Sequence, residues 1–402
     1  MNDYILKKVK RISVKDIIEL FKFFFIIPCA LAFKIYLKIV KKRHWIISED
    51  MLGANDNGYV FFLYMLKEHP EIRSYYAISS KSEYFETIKN TGYAIRWASL
   101  RHWLYYLSAD IIISTQIGAS PYMHITFPLE IAGIIRNKRV FLQHGITMNY
   151  YQSLDYKNNK FSLFICGARP EYEYISSQFH FPIEHVVYTG FARFDWLHNT
   201  KANKNLILIM PTWRYWFKYG DIDREGNIPF TQSEYFLKFN SLINNRKLIK
   251  YIEQNNLTVL FYLHRSMQRY TSEFKSISDN VKIVKRFDVN IQELLRTGAM
   301  MVTDYSSVSV DFAYMEKPIL YYQFDQKKFR EEHGQPAYFS YEEDGFGPVL
   351  IREDETVDYI IYSHQKNFKT EDKYMERMHS FFELRDTSNS ERIYEKIIYH
   401  LC

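Results

Sequence analysis

Short apolar runs alternate with stretches of helical periodicity along most of the chain, and each run has the length of a buried strand. In the first half the predicted strands lie at 45–48, 75–78, 94–96, 110–114, 139–143, 163–166 and 186–188. In the second half they lie at 206–210, 258–263, 281–284, 299–302 and 319–322. Strands that alternate with helices predict parallel sheets. The polar stretch 198–204 separates the two series, so the pattern indicates an α/β protein with two sheet domains.

The first 43 residues differ from the rest in charge and hydropathy. They contain eleven Lys or Arg and three acidic residues, whereas the remaining chain has slightly more acidic than basic residues. The uncharged run 23–33 is interrupted by Pro28 and is too short to span a bilayer, which needs about twenty apolar residues. We expect a helix in the headgroup region, with flanking lysines facing anionic lipid. The alternative is a long helix buried against the N-terminal domain.

The uneven charge and the cysteine content limit the classes of function. The basic excess that gives the whole chain a net charge of +6 lies in the first 43 residues, which argues against a basic nucleic-acid groove across the main body. The three cysteines are widely spaced and show no metal-binding or disulfide pattern, which fits a reducing compartment. The sequence contains no G-x-G-x-x-G motif and no P-loop. No cofactor is assigned, and a divalent cation such as Mg²⁺ stays open.

Polar residues follow four of the predicted strands at the point where each strand ends. These residues are His144, Arg214, His264 with Arg265, and the run from Thr303 to Ser307. Because the carboxyl ends of parallel strands form the ligand-binding edge of an open sheet, we expect these side chains to converge.

The residue types at this edge suit phosphate chemistry. Ser306 and Ser307 precede a helical stretch, so they either cap that helix or join its N–H groups in holding a phosphate. A histidine has a pKa near neutrality and suits a general base, whereas the arginine fork suits a phosphate group. The set therefore matches phosphoryl transfer from a nucleotide diphosphate.

The same segments resemble the CDP-glycerol glycerophosphotransferases, which build teichoic acids and related capsule-type polymers of polyol phosphate. The matching motifs are Gln143-His-Gly145, Thr189-Gly-Phe-Ala-Arg-Phe-Asp195, Pro211-Thr-Trp-Arg214, Leu263-His264, Thr303-Asp-Tyr-Ser-Ser307 with Asp311 and Lys317-Pro318, and Gly347-Pro348. They occur in the family's order over about residues 45–350.

This resemblance implies a GT-B fold, which has two Rossmann-like domains with a cleft between them. The expected division begins with a basic amphipathic membrane-associating segment at 1–43. An acceptor-side domain at 44–200 follows, and a nucleotide-donor domain at 205–402 ends in closing helices.

The resemblance also implies roles for the polar residues. His144 would be the base that acts on the acceptor hydroxyl, and His264 would contact the transferring phosphate or assist as an acid. The expected substrate-binding residues are Arg214, Arg265, Thr303, Asp304, Ser306, Ser307 and Asp311. The two arginines would pair with the diphosphate, and the two serines would bind it at the helix start. Asp311 would position that helix or meet the ribose, with a solvated helix face as the alternative.

The implied reaction is transfer of glycerol phosphate, or a related polyol phosphate, from a CDP-activated donor with release of CMP. Its acceptor would be a hydroxyl of a lipid-linked glycan or growing polymer. The enzyme would lie peripherally on the cytoplasmic face of the cell membrane, on an anionic surface, without a nucleic-acid partner. Two alternatives stay open: a GT-B glycosyltransferase that uses a nucleotide sugar, and an inactive membrane-bound homologue that binds polymer.

Overall fold

The computed structural model of the protein describes residues 13–217, 228–286, 288–332 and 338–402. In the N-terminal half the strands are β1 (His44–Ser48), β2 (Arg73–Ile78), β3 (Ala94–Arg96), β4 (Ile111–Ser114), β5 (Lys138–Phe141), β6 (Leu163–Cys166) and β7 (Val186–Tyr188). In the C-terminal half they are β8 (Leu206–Ile209), β9 (Thr258–Tyr262), β10 (Val281–Val284), β11 (Met300–Thr303), β12 (Ile319–Tyr322) and β13 (Val349–Leu350).

The strands form two sheets, and every strand pair in them is parallel. The strand orders are β3-β2-β1-β4-β5-β6-β7 and β10-β9-β8-β11-β12-β13. The central strands β1, β4 and β11 are buried along their whole length, which is typical of parallel strands covered on both faces. The predicted α/β fold with two parallel sheets is therefore confirmed.

Helices connect the strands. In the N-terminal half they are α1 (Val14–Ile39), α2 (Asn57–Glu68), α3 (Phe85–Asn90), α4 (Leu100–Ser108), α5 (Met123–Ile131), α6 (Tyr156–Asn159), α7 (Arg169–Gln178) and α8 (Phe194–Leu197). Those that follow are α9 (Glu234–Ile243), α10 (Arg246–Gln254), α11 (Ile291–Thr297), α12 (Val308–Tyr314), α13 (Gln326–Glu332), α14 (Glu353–Gln365), α15 (Asp372–Phe381) and α16 (Asn389–Leu401). Several begin at side-chain caps: Ser99 Oγ accepts from His102 N, and Asn245 Oδ1 accepts from the first N–H groups of α10.

The two halves share apolar contacts where the chain passes from one to the other. The Phe194 ring of α8 stacks on the Tyr314 ring of α12, with centroids 4.1 Å apart and planes 15° from parallel. Phe382 packs edge-on against both rings. These contacts join α12, which starts at the predicted phosphate site, to the N-terminal half.

The last helix contacts the N-terminal half, although its sequence position falls within the predicted C-terminal domain at 205–402. The Asp195 carboxylate accepts the backbone N–H groups of Asn389 and Ser390 at 2.8 and 2.9 Å, which caps the start of α16. Arg392 Nε also donates to the carbonyl of Thr189, at 2.9 Å. The motif from 189 to 195 therefore holds the end of the chain.

The first helix is docked on the N-terminal half along one side and is exposed along the other. On one side, Phe23 and Ile26 pack on Trp103 of α4, whose indole N–H donates to Glu19 at 2.8 Å. Large apolar side chains on the remainder of its surface are exposed, namely Phe21, Phe24, Phe25, Leu31, Ile35 and Ile39. By length and composition alone, α1 is also long and apolar enough to cross a membrane. The uncharged run 23–33, taken by itself, had indicated a segment too short to do so.

Candidate active site

A cleft of about 920 Å³ separates the carboxyl edges of the two sheets. His144, Gly145 and neighbouring residues line it from the N-terminal half, and His264, Ser306 and Ser307 line it from the other half. Four of the predicted site residues are therefore brought together around one cavity. A Cβ placed on Gly145 would lie 3.6 Å from Ser307 Oγ, so the two walls nearly touch at this point.

A buried carboxylate holds the loop that carries His144. Glu171 of α7 accepts the Thr147 N–H at 2.6 Å and the Gln143 side-chain amide at 3.0 Å. Burial raises the pKa of Glu171 to about 7, although these donors lower it. Gln143 has a positive φ of 60°, a left-handed conformation that costs a residue with a side chain about 1–3 kcal/mol. External contacts therefore fix the turn that exposes the His144 ring.

Two further groups hold the backbone carbonyls of this loop. Asn57 Nδ2 donates to the carbonyl of Gln143 at 2.9 Å, and Arg193 Nη1 donates to the carbonyl of His144 at 3.4 Å. Both donors lie in the N-terminal half, so its α2 and the start of α8 contribute to the position of the histidine.

His264 presents one ring nitrogen to its own backbone. Its Nδ1 accepts from Ser266 N at 3.2 Å, so Nε2 carries the hydrogen in the neutral ring. Burial, and to a smaller extent the positive charge of the neighbouring Arg265, lowers the pKa of His264 to about 4. At neutral pH this histidine is an uncharged hydrogen-bond donor.

Lowering the pH is expected to destabilise the protein more than it destabilises a His264→Gln variant. The folded-state pKa of about 4 lies below the ordinary value of 6.5, so the unfolded chain binds more protons between these values. The stabilising contribution of the neutral ring is complete above pH 6.5 and is lost as the pH falls toward 4. The difference in free energy of unfolding between the parent protein and the variant is expected to change by up to about 3 kcal/mol over this pH range. Urea unfolding across this window measures it, and equal pH dependence would contradict it.

Ser306 and Ser307 lie at the start of α12 without capping it strongly. Ser307 occupies the N-cap position with no hydrogen bond from its side chain to the helix, and Ser306 Oγ accepts from Val308 N only at 3.5 Å. Ser307 is exposed to the cleft. Of the two interpretations of these serines, the structure therefore gives little support to the capping one.

Arg214 lies beneath the cleft rather than in it. The guanidinium is fully buried, and its Nε and Nη2 donate to Asp325 at 2.8 and 3.1 Å. Nη2 also lies 2.8 Å from Asp304, and Nη1 donates to the carbonyl of Thr212 at 2.9 Å. Burial lowers the pKa of Arg214, but the two carboxylates more than offset this. The structure does not bring the predicted diphosphate ligand Arg214 to the cavity.

Thr303 and Asp304 are likewise buried supports. Thr303 Oγ1 donates to the carbonyl of Met210 at 2.7 Å, which joins the ends of β8 and β11. Asp304 Oδ1 accepts the N–H groups of Thr212 and Tyr305, both at 2.7 Å. Both side chains shape the edge of the sheet, and neither lines the cavity.

Arg265 is exposed beside His264, is not among the residues that line the cavity, and pairs with the opposite half. Its Nη1 lies 2.9 Å from Asp50 Oδ2, which belongs to the loop after β1 in the other half. An exposed ion pair of this kind is worth about 0–1 kcal/mol, so a phosphate can exchange for the carboxylate at little cost. This arginine remains available to an anionic ligand.

Asp311 faces neither solvent nor the cleft. It accepts Nη2 of Arg193 at 2.7 Å and Nε at 3.1 and 3.2 Å, and both side chains are buried. The ion pair joins α12 to the N-terminal half. The alternative of a solvated helix face is therefore wrong, and the position of Asp311 agrees with a role in placing the helix.

Sequence reasoning missed the aromatic lining of the cleft. Trp213 and Tyr305 line the cavity, although Arg214 and Asp304 beside them in the chain do not. The two neighbours of each pair separate because Arg214 and Asp304 are buried in an ion pair with each other. Trp213 also stacks over His264, with centroids 6.3 Å apart. The available signal was that an aromatic residue stands next to the charged residue after each of these strands.

Comparison with known proteins decides the family. The profile described as CDP-Glycerol:Poly(glycerophosphate) glycerophosphotransferase matches residues 30–399. The chain belongs to this family. The resemblance that the sequence motifs carried is therefore confirmed.

Relatives of this glycerophosphotransferase family member are named for teichoic acid biosynthesis. The Minor teichoic acid biosynthesis protein GgaB of Bacillus subtilis (strain 168) is 32% identical over 367 residues, which are 89% of this chain and 40% of that protein. A Teichoic acid poly(glycerol phosphate) polymerase of the same strain is 20% identical over 398 residues, 90% of this chain and 49% of that protein. The chain thus spans about half or less of the length of these relatives.

Solved structures confirm the GT-B-like architecture of this chain. The Wall Teichoic Acid Polymerase TagF superposes with a TM-score of 0.61 and 15% identity, over 92% of this chain and 96% of the TagF chain. A putative UDP-N-acetylglucosamine 2-epimerase from Listeria monocytogenes superposes with a TM-score of 0.54 and 11% identity, over 89% and 96% of the two chains. At these identities the likeness concerns the fold alone.

A metal site was left open by the sequence. Within the described residues 13–217, 228–286, 288–332 and 338–402, no group of three or more His, Cys, Asp or Glu side chains is placed to hold a metal ion. The buried carboxylates of Asp304 and Asp325 are paired with Arg214.

Proposed function

We propose that the protein transfers glycerol phosphate, or a related polyol phosphate, from a CDP-activated donor to a hydroxyl of a lipid-linked glycan or growing polymer. One observation carries this proposal: two histidines from different halves line one cleft, beside the two serines at the start of α12. A structure of TagF soaked with CDPG supports the donor class through the shared fold.

The two histidines suit different parts of the reaction. His144 accepts the proton of the acceptor hydroxyl as its oxygen forms a bond to the transferring phosphorus. The bond from that phosphorus to the CMP oxygen breaks, and CMP leaves with the electron pair. His264 donates a hydrogen bond from Nε2–H to a phosphate oxygen, because its Nδ1 accepts from Ser266 N; with a pKa near 4 the ring stays neutral and keeps this hydrogen. The chemistry therefore needs little beyond positioning and hydrogen bonding.

The leaving nucleotide tests the proposal directly. The protein is incubated with a panel of CDP-polyols and nucleotide sugars, and the products are identified by mass spectrometry. CMP release from CDP-glycerol or CDP-ribitol, dependent on an acceptor, is the expected result. Release of a nucleoside diphosphate from a nucleotide sugar would instead identify a glycosyltransferase. No turnover of any donor would favour a polymer-binding role.

Ser306→Ala, Ser307→Ala and Arg265→Lys are each expected to weaken CDP binding by about three- to tenfold. The serine variants lose a hydroxyl donor to the diphosphate, and the lysine variant keeps the charge but loses the fork. Titration calorimetry with CDP measures the change. Ser177→Ala, an exposed serine of α7, is the matched control. If all three variants bind CDP like the parent protein, the diphosphate lies elsewhere.

Membrane attachment completes the proposal. We infer that the protein lies peripherally on the cytoplasmic face, with the exposed apolar side chains of α1 against the bilayer. Phe21 and Phe25 are 73% and 71% exposed on a helix whose other side is docked on α4. Apolar area combined with basic flanks is the usual basis of interfacial binding.

Neutralising the basic residues that flank α1 is expected to reduce binding to anionic vesicles as strongly as high salt does, because both screen or remove the same attraction. The residues are Lys7, Lys8, Lys10, Arg11, Lys41, Lys42 and Arg43, of which the first four lie outside the described part of the chain. Vesicle sedimentation measures binding. Neutralising Lys247 and Lys250 of α10 is the control. Unchanged sedimentation of the flanking variant would remove the electrostatic part of the proposal.

A further inference from the structure

Arg193 lies buried between the two halves and contacts both of them. Its Nε and Nη2 hold Asp311 of α12, and its Nη1 lies 2.9 Å from Asp56 and 3.4 Å from the carbonyl of His144. The guanidinium is thus shared by two carboxylates and the backbone of the loop that carries the predicted base.

The backbone of Arg193 reaches the same loop through a second residue. Its N–H donates to Asn57 Oδ1 at 3.1 Å, and Asn57 Nδ2 donates to the carbonyl of Gln143 at 2.9 Å. The carbonyl of Gln143 therefore accepts from Asn57, which Arg193 contacts, and the carbonyl of His144 accepts from Arg193 itself. This matters because Gln143 has a left-handed φ of 60°, a conformation that persists only when surrounding contacts impose it.

The other end of this network is the helix that begins at the proposed phosphate site. Asp311 is in the first turn of α12, and this helix begins directly after Ser306 and Ser307. A shift of the Arg193–Asp311 pair therefore moves the start of α12 relative to His144. Displacements of about 1 Å in an active site can cost about a hundredfold in rate.

We propose that Arg193 is a positioning residue that sets the separation between His144 and the start of α12. This rests on the proposed function, in which His144 activates the acceptor and α12 holds the donor. The three partners need an arginine, because its rigid fork presents five N–H donors in one plane, whereas the lysine ammonium is a single point. Asp56 and Asp311 compensate its charge within the interface.

Arg193→Lys is expected to lower kcat by about 10- to 100-fold and to change CDP affinity less than about threefold. The decisive arm is the His144→Ala background, where Arg193→Lys is expected to lower kcat by less than about twofold, because the residue acts through His144. Arg169→Lys is the matched control, since Arg169 pairs with Glu383 at the surface. Full additivity of the two kcat losses would overturn the proposal.

A second measurement separates this proposal from the proposed function, because it needs no turnover. In the ligand-free protein, Arg193→Lys is expected to speed amide hydrogen exchange in the peptide 143–148 at least fivefold, about 1 kcal/mol at 25 °C, without speeding that of β9. Unchanged exchange in 143–148 would overturn the positioning role, even if CDP-polyol turnover is confirmed. If Arg193→Lys does not fold, Asp56→Asn carries both tests, since Asp56 and the His144 carbonyl share Nη1.

Discussion

Replacing Arg214 with methionine is expected to lower the free energy of unfolding by about 3–5 kcal/mol, because it leaves two buried carboxylates without a counter-charge. Asp304 and Asp325 both lie against this guanidinium, and the arginine itself is fully buried. The cost arises from the desolvated charges left behind, not from the intrinsic value of the ion pairs. Urea unfolding at neutral pH measures the change.

The matched control for this prediction is Arg265→Met. Arg265 is an arginine of the same half, but it is exposed and pairs with a single aspartate. Its loss is expected to cost about 0–1 kcal/mol, as for other surface ion pairs. If Arg214→Met instead keeps the parent stability and loses CDP affinity, then Arg214 binds the donor, as its motif first suggested.

The comparison of these two arginines shows where sequence reasoning ends. Each follows a predicted strand, so the sequence places both at the ligand-binding edge of the C-terminal sheet. Their burial differs because Arg214 pairs with Asp325, which lies 111 positions further along the chain, whereas Arg265 pairs with Asp50 at the surface of the opposite half. Which side chain turns inward depends on such tertiary partners, which a local motif does not reveal.

The strands were predictable because their cause is local. Apolar runs such as 299–302 have no alternative to burial, and β11 occupies Met300–Thr303 within one residue of its prediction. β13 was missed, since its two residues Val349 and Leu350 pair with β12 without a run that identifies them. The predicted strand 139–143 extends past β5, which ends at Phe141, because the chain turns at Gln143 with a positive φ.

The positions of the two histidines were predictable because each follows a run that predicts a buried strand. Residues that follow such a strand emerge at the edge of the sheet. The contacts that orient the histidines come from distant segments: Glu171 and Arg193 for the His144 loop, and Trp213 beside His264. Arg193 and Asp195 lay in a motif that the sequence analysis quoted, but their partners Asp311 and Asn389 are known only from the folded chain.

His144→Ala is expected to lower turnover by about 10²–10⁴-fold and to leave CDP affinity within a few-fold of the parent protein. The loss is that of a general base, since the other histidine among the described residues that line the cleft, His264, belongs to the opposite half. CDP affinity is retained because the serines, Arg265 and His264 belong to the opposite half, which holds the donor in the proposed arrangement. CMP release and calorimetry with CDP measure the two quantities separately.

Chemical rescue and a matched histidine complete the test of His144. Added imidazole is expected to restore part of the turnover of His144→Ala, because the cavity left by the side chain opens into the cleft and a diffusible base can occupy it. His379→Ala is the control, since His379 is exposed on α15 and pairs there with Glu316. Near-normal turnover of His144→Ala would exclude the base assignment. Loss of CDP binding would instead make His144 part of the donor site, and the division of labour between the two halves would then be wrong.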